Sequence, residues 1–135
     1  MKVLTKFIDD NEFQSENESG NVLNIDMYSP ENKNNFSPTE MVLSALASCS
    51  SVDLVQMLKK RRKTVAELTV EAYGIRRDEN PRAFTHIKLV FILKSPDVEQ
   101  KEFEKYGHLA ATNYCSVAAT LNIQAEHEFK IVRPE

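Results

Sequence analysis

The sequence predicts a mixed fold of helix and sheet, on three observations. Apolar residues alternate with period two in short segments near both ends of the chain and again in its middle. One continuous helical run occupies residues 37–62. A second helical stretch, 96–122, separates the middle segments from the last one. The 135 residues suit a single domain, 1–135, long enough to bury roughly two-thirds of its unfolded surface.

The first strands fall within 1–28. KVLTKFI (2–8) and NVLNIDMY (21–28) alternate partially, with the weaker NEFQSENESG between them and a turn at Ser19-Gly20-Asn21. An antiparallel sheet of two or three strands is expected. SPENKNNFSP, polar and holding two prolines, reads as a surface loop.

The long helix opens with clear punctuation. Ser37 suits the cap, Pro38 the first helical position, and Glu40 falls three residues after the cap, as in a capping box. Met41, Val42, Leu43, Ala45, Leu46, Ala47 and Cys49 leave almost no polar face in its first half. A helix apolar all round is buried on every side. One small sheet cannot cover it, so a second subunit is expected against it. The basic KKRRK at 59–63 suits the negative end of the helix macrodipole.

Residues 66–94 read as a long hairpin. Leu68, Val70 and Ala72 oppose Glu67, Thr69 and Glu71, and Ile87, Leu89, Phe91 and Leu93 line one face of the returning strand. Ser95-Pro96 starts the next helix, with Val98, Phe103, Tyr106, Leu109 and Ala110 on its apolar side. That helix breaks near Asn113-Tyr114, CSVAATL begins a third, and 123–132 is a closing strand.

A net charge of −3 argues against nucleic acid or an anionic membrane as main partner. No signal-peptide pattern opens the chain, and no apolar run is expected to span a membrane, so a cytoplasmic location is expected. A reducing compartment leaves the two cysteines inert, metal-binding or redox-active. Metal ligation fits least, since 66 positions between them match no familiar ligand spacing.

Cys49 lies in SALASCSS (44–51), where six of eight residues are Ser or Ala. Burial alone would raise its pKa and leave it inert as a small hydrophobe, unless a cation or donor from elsewhere activates it. Cys115 sits where the third helix begins, where backbone N–H groups should favour its thiolate. Asp53, one turn after Cys49, would disfavour a thiolate and reads as a polar tether. His86 reads as exposed, His108 as doubtful for contact with Cys115, and Arg82 as a loop or interface residue. Tyr114 either closes over the thiols or fills the core.

SPTEMVLSALASCSSVDL, NPRAFTHIKLVFIL and NYCSVAATL, in this order and spacing, resemble the OsmC/Ohr family of osmotically inducible and organic-hydroperoxide-resistance proteins. The likeness runs from about Phe36 onward. It rests on a proline eleven positions before the first Cys, small residues around that Cys, and a second Cys after an aromatic at a helix start. It is to the OsmC-like branch rather than to Ohr proper.

The resemblance implies an α+β fold in which antiparallel sheets wrap around long central helices in an intertwined homodimer. It implies thiol peroxidase chemistry without cofactor or metal, Cys49 being peroxidatic and Cys115 resolving. An organic hydroperoxide is the implied substrate, and a dithiol such as dihydrolipoamide the reductant. Family peroxidases pair the first Cys with an N-terminal Arg held by a Glu. Here no Arg precedes Arg61, and the Glu position falls on Thr39, with Glu40 one residue, about 100° of helix, further on. Glu40 is thus a candidate site residue beside its capping role, and Lys2, Lys6 or Lys33 are candidates for the cation. The alternatives are a non-catalytic dimer holding a small apolar or thiol-reactive ligand in an interface pocket, and a redox-responsive interaction protein.

Overall fold

Strands β1 (Val3–Asp9), β2 (Glu12–Asn17) and β3 (Val22–Asp26) form an antiparallel sheet in the order β1-β2-β3. The computed structural model describes residues 1–135. They make two compact units, Met1–Val42 and Leu43–Glu135. The β2–β3 turn uses Gly20 at φ +85°, a left-handed conformation that glycine adopts without strain. Every residue of β1 is exposed, Val3, Leu4, Phe7 and Ile8 among them.

The loop after β3 is organised by Asp26, whose side chain is wholly buried. Its carboxylate accepts from Lys33 Nζ at 2.7 Å and from the backbone N–H groups of Tyr28, Asn34 and Asn35. Burial pushes this carboxyl up, but the four donors outweigh it and bring it down to about 2.

Helix α1 is Pro38–Lys60. Ser37 and Glu40 form the expected capping box: the Glu40 N–H donates to Ser37 Oγ (3.3 Å), and the Ser37 N–H to Glu40 Oε1 (2.9 Å). The helix stops at Arg62, where φ turns to +60° and the Lys63 N–H closes back on Leu58 O.

Within the second unit, β4 (Glu67–Arg76) and β5 (Phe84–Lys94) are the predicted hairpin, paired from Glu67–Lys94 to Arg76–Phe84. The next helix, α2, is Gln100–Leu109 rather than starting at Ser95-Pro96. Ser95 Oγ accepts from the N–H groups of Asp97 and Val98, so those residues form a turn and Glu99 stays extended. The break near Asn113 is a π-helical turn, Ala110–Tyr114, followed by α3 (Ser116–Thr120). Strand β6 (Glu126–Val132) pairs with β5 in parallel, Lys88–Glu126 to Lys94–Val132. This sheet is therefore mixed rather than antiparallel throughout. Two helices between β5 and β6 carry the chain back to the start of β5, the crossover that parallel pairing demands.

The core of this unit gathers Ile87, Leu89, Phe91 and Leu93 of β5 with Phe103 and Phe129. On α1 it takes one stripe, Leu46, Ser50, Leu54 and Leu58, at four-residue spacing. Leu43, Ala47 and Cys49 beside that stripe are partly buried against the same core, and Ala45, Ser48 and Val52 are exposed in the single chain. Contrary to expectation, α1 is long and apolar enough by length and composition to cross a membrane. Its buried leucine stripe gives it the packing of a core helix.

Candidate active site

Helix α1 delivers Cys49, and the crossover between β5 and β6 delivers Cys115. The π-helical turn ends at Cys115, whose backbone turns extended (φ −78°, ψ 107°) and caps α3. Its Sγ accepts from the Ala118 N–H at 3.3 Å, as a Ser or Thr oxygen does at an N-cap. Cys115 is buried, at 2% exposure, whereas Cys49 is only partly covered. Both are free thiols, 66 positions apart in sequence yet side by side in the fold.

Two of the N–H groups that open α3, those of Ser116 and Val117, act on the Cys49 thiol, while that of Ala118 is held by Cys115 Sγ. The Val117 N–H, set against the Cys49 thiol, is the largest influence and lowers its pKa. Burial pushes the other way, the Cys115 thiol and the Ser116 N–H lower it further, and Asp53 raises it, as its position predicts. The net direction is down. Burial is outweighed by groups 66 to 68 positions further along the chain, those of Cys115, Ser116 and Val117. α3 has only five residues, so individual N–H donors explain the effect better than a macrodipole.

Ser50, fully buried, donates from Oγ to Cys115 Sγ at 3.5 Å. Sequence reading passed over it, because its only signal was membership in a Ser/Ala run. Glu40 is engaged within the first unit by Ser37 and, at 3.9 Å, by Lys33. Lys33 in turn is bound to Asp26. No Lys or Arg is among the groups that shift Cys49. His86 is half exposed and 3.5 Å from Glu126, His108 packs on Phe129 at 4.9 Å, and Tyr114 is exposed. No three His, Cys, Asp or Glu side chains converge as metal ligands would.

A cavity of about 490 Å³ lies beside α3. Leu46, Ala111, Ala118, Leu121 and Ile123 give it apolar walls, and His127 stands at its margin. It shares Ala118 with the thiol site, since that residue's N–H holds Cys115.

A mixed helix-and-sheet frame thus sets one partly exposed thiol beside one buried thiol on an α+β fold. The chain belongs to the OsmC-like protein family, which residues 30–130 match. It is 35% identical over 134 residues to Protein YhfA of Escherichia coli K12, covering 98% of each chain. Among solved structures it resembles an OsmC-like protein from Mycoplasma pneumoniae, with a TM-score of 0.82 and 16% identity over 99% of this chain and 96% of that one. It also resembles the organic hydroperoxide resistance protein OhrB of Bacillus subtilis, with a TM-score of 0.63 and 14% identity over 98% of both. At those identities the two structural likenesses are of fold.

Proposed function

We propose that this chain is a thiol-dependent reductase of organic hydroperoxides. One observation carries the reading: Ser50, the residue after Cys49, donates to Cys115 Sγ at 3.5 Å, which sets the two thiols together where the Val117 and Ser116 N–H groups lower the Cys49 pKa. Those donors favour the thiolate, which is the nucleophile. Cys49 thiolate attacks the outer oxygen of ROOH, the O–O bond breaks, and the alkoxide takes a proton to leave as ROH. The resulting Cys49 sulfenic acid condenses with the Cys115 thiol, forming the disulfide and releasing water. An external dithiol, of the lipoyl type, restores both thiols.

In this reading Glu40 acts as a helix cap, and backbone donors do the work assigned elsewhere to a cation. A second copy of the chain would cover the open faces of α1 and the exposed apolar residues of β1, which supports a homodimer.

The test is intact mass and free-thiol count after one equivalent of cumene hydroperoxide, on wild type, C49S and C115S. Wild type should lose two thiols to a Cys49–Cys115 disulfide, and C115S should stop at sulfenic acid on Cys49. Survival of both wild-type thiols in excess peroxide would sink the proposal. The cavity beside α3 supports a second reading, a binder of a small apolar ligand with little turnover. That reading predicts ligand-dependent thermal shifts with no thiol loss.

A further inference from the structure

Three serines flank Cys49 on α1, and their hydroxyls are used differently. Ser48 donates to Ser44 O at 2.9 Å, and Ser51 to Ala47 O at 2.7 Å, each bonding back along its own helix. Ser50 does not. It is wholly buried and donates across the core to Cys115 Sγ. A buried hydroxyl needs a partner, and this one has taken the resolving sulfur instead of the carbonyl its neighbours use. The Ala118 N–H donates to the same sulfur, so two fixed donors converge on it.

We propose that Ser50 is a positioning residue for the chemistry of Cys115, fixing its sulfur beside Cys49; this rests on the peroxidase reading above. A neutral thiol is a weak acceptor, and a thiolate a much stronger one. The Ser50 and Ala118 donors therefore gain strength as Cys115 loses its proton. In resolution, the Cys115 sulfur attacks the Cys49 sulfenic sulfur, the S–S bond forms, the S–O bond breaks, and the oxygen leaves as water with the Cys115 proton. In reduction, one thiolate of an external dithiol attacks Cys49 Sγ, the more exposed sulfur. Cys115 departs as the thiolate that the two donors stabilise and then takes up a proton. The second thiol of the dithiol then displaces Cys49 thiolate and closes the reductant's own disulfide. Attack on Cys49 is thus directed both by exposure and by which sulfur leaves best.

The experiment is acid-quenched flow with intact-mass readout on reduced wild type, S50A and S50T, using cumene hydroperoxide. Sulfenic acid and disulfide differ in mass, so the two steps separate. In wild type the disulfide should follow with little sulfenic acid accumulating. In S50A the first step should keep its rate, while sulfenic acid builds up and the disulfide forms about tenfold more slowly, the effect of one hydrogen bond to a charged sulfur. S50T, which keeps the hydroxyl, should restore the rate of the second step. A purely structural role would slow both steps together, or lower the melting temperature without slowing the second step alone, and either result overturns the inference. Disulfide formation in S50A at the wild-type rate overturns it as well, leaving the peroxidase reading intact. If wild type itself loses no thiol, both fall.

Discussion

The ring of Phe129 lies against Gly107, in the space a β-carbon on that residue would occupy. Phe129 cannot yield easily, because Phe91 stacks on it at 5.0 Å and Phe103 meets it edge-on at 5.1 Å. G107A should therefore lose about 1–3 kcal/mol to overpacking, more than the ~1 kcal/mol that Ala gains over Gly in a helix. Urea denaturation measures it, and unchanged or raised stability would show that β6 can shift outward freely.

Asp26 gives the acid limb of stability a definite sign. Its folded pKa of about 2 lies below the ordinary 3.8, so its contribution is present above about pH 4 and lost as pH falls toward 2. Urea midpoints between pH 2 and 6 should fall steeply for wild type. D26N should start lower at neutral pH and lose less over the same window. Parallel curves for the two proteins would remove Asp26 from the account.

Asp53 opposes the Cys49 thiolate, and Val117 and Ser116 favour it. Iodoacetamide should alkylate Cys49 with a pH midpoint below that of an ordinary thiol, with Cys115 shielded by burial. Asp53→Asn should lower the alkylation midpoint of Cys49 further and speed its modification at pH 7. A midpoint that rises in D53N contradicts the arrangement.

Glu40 can be tested as cap and as chemistry in one series. E40A should lose about 0.5–2 kcal/mol of stability, the usual worth of a capping interaction, while Cys49 oxidation proceeds unchanged. E40Q keeps an oxygen to accept from Ser37 and should lose less. Oxidation that stops in a stable E40Q would return Glu40 to the reaction.

A Cys49–Cys115 disulfide would close a loop of 66 positions. Loop-closure entropy alone favours the oxidised fold by about 4 kcal/mol, less any strain. The oxidised protein should melt higher than the reduced one, and C115S should show no such difference after peroxide.

Much of this was legible from residue order. Ser37-Pro38 and Glu40 announced the helix start, because capping is local chemistry. The alternation of Ile87, Leu89, Phe91 and Leu93 announced a strand buried on one face, because side chains alternate across a sheet. The parallel pairing of β6 was not legible, since strand direction depends on how the intervening helices return the chain. The activation of Cys49 was hidden for a related reason. Its donors are backbone N–H groups of Val117 and Ser116, which carry no residue signature. Ser50 was hidden because a serine reads alike whether it bonds its own helix or a distant sulfur.

The parallel seat of β6 has a consequence for synthesis. Cys49 emerges from the ribosome long before Cys115, and the crossover that carries Cys115 is anchored only when β6, made last of the strands, docks beside β5. Until then Cys49 lacks the N–H groups that lower its pKa and the second thiol that stands beside it. The nascent chain thus carries the first thiol well before the backbone donors and the second thiol that meet it in the fold.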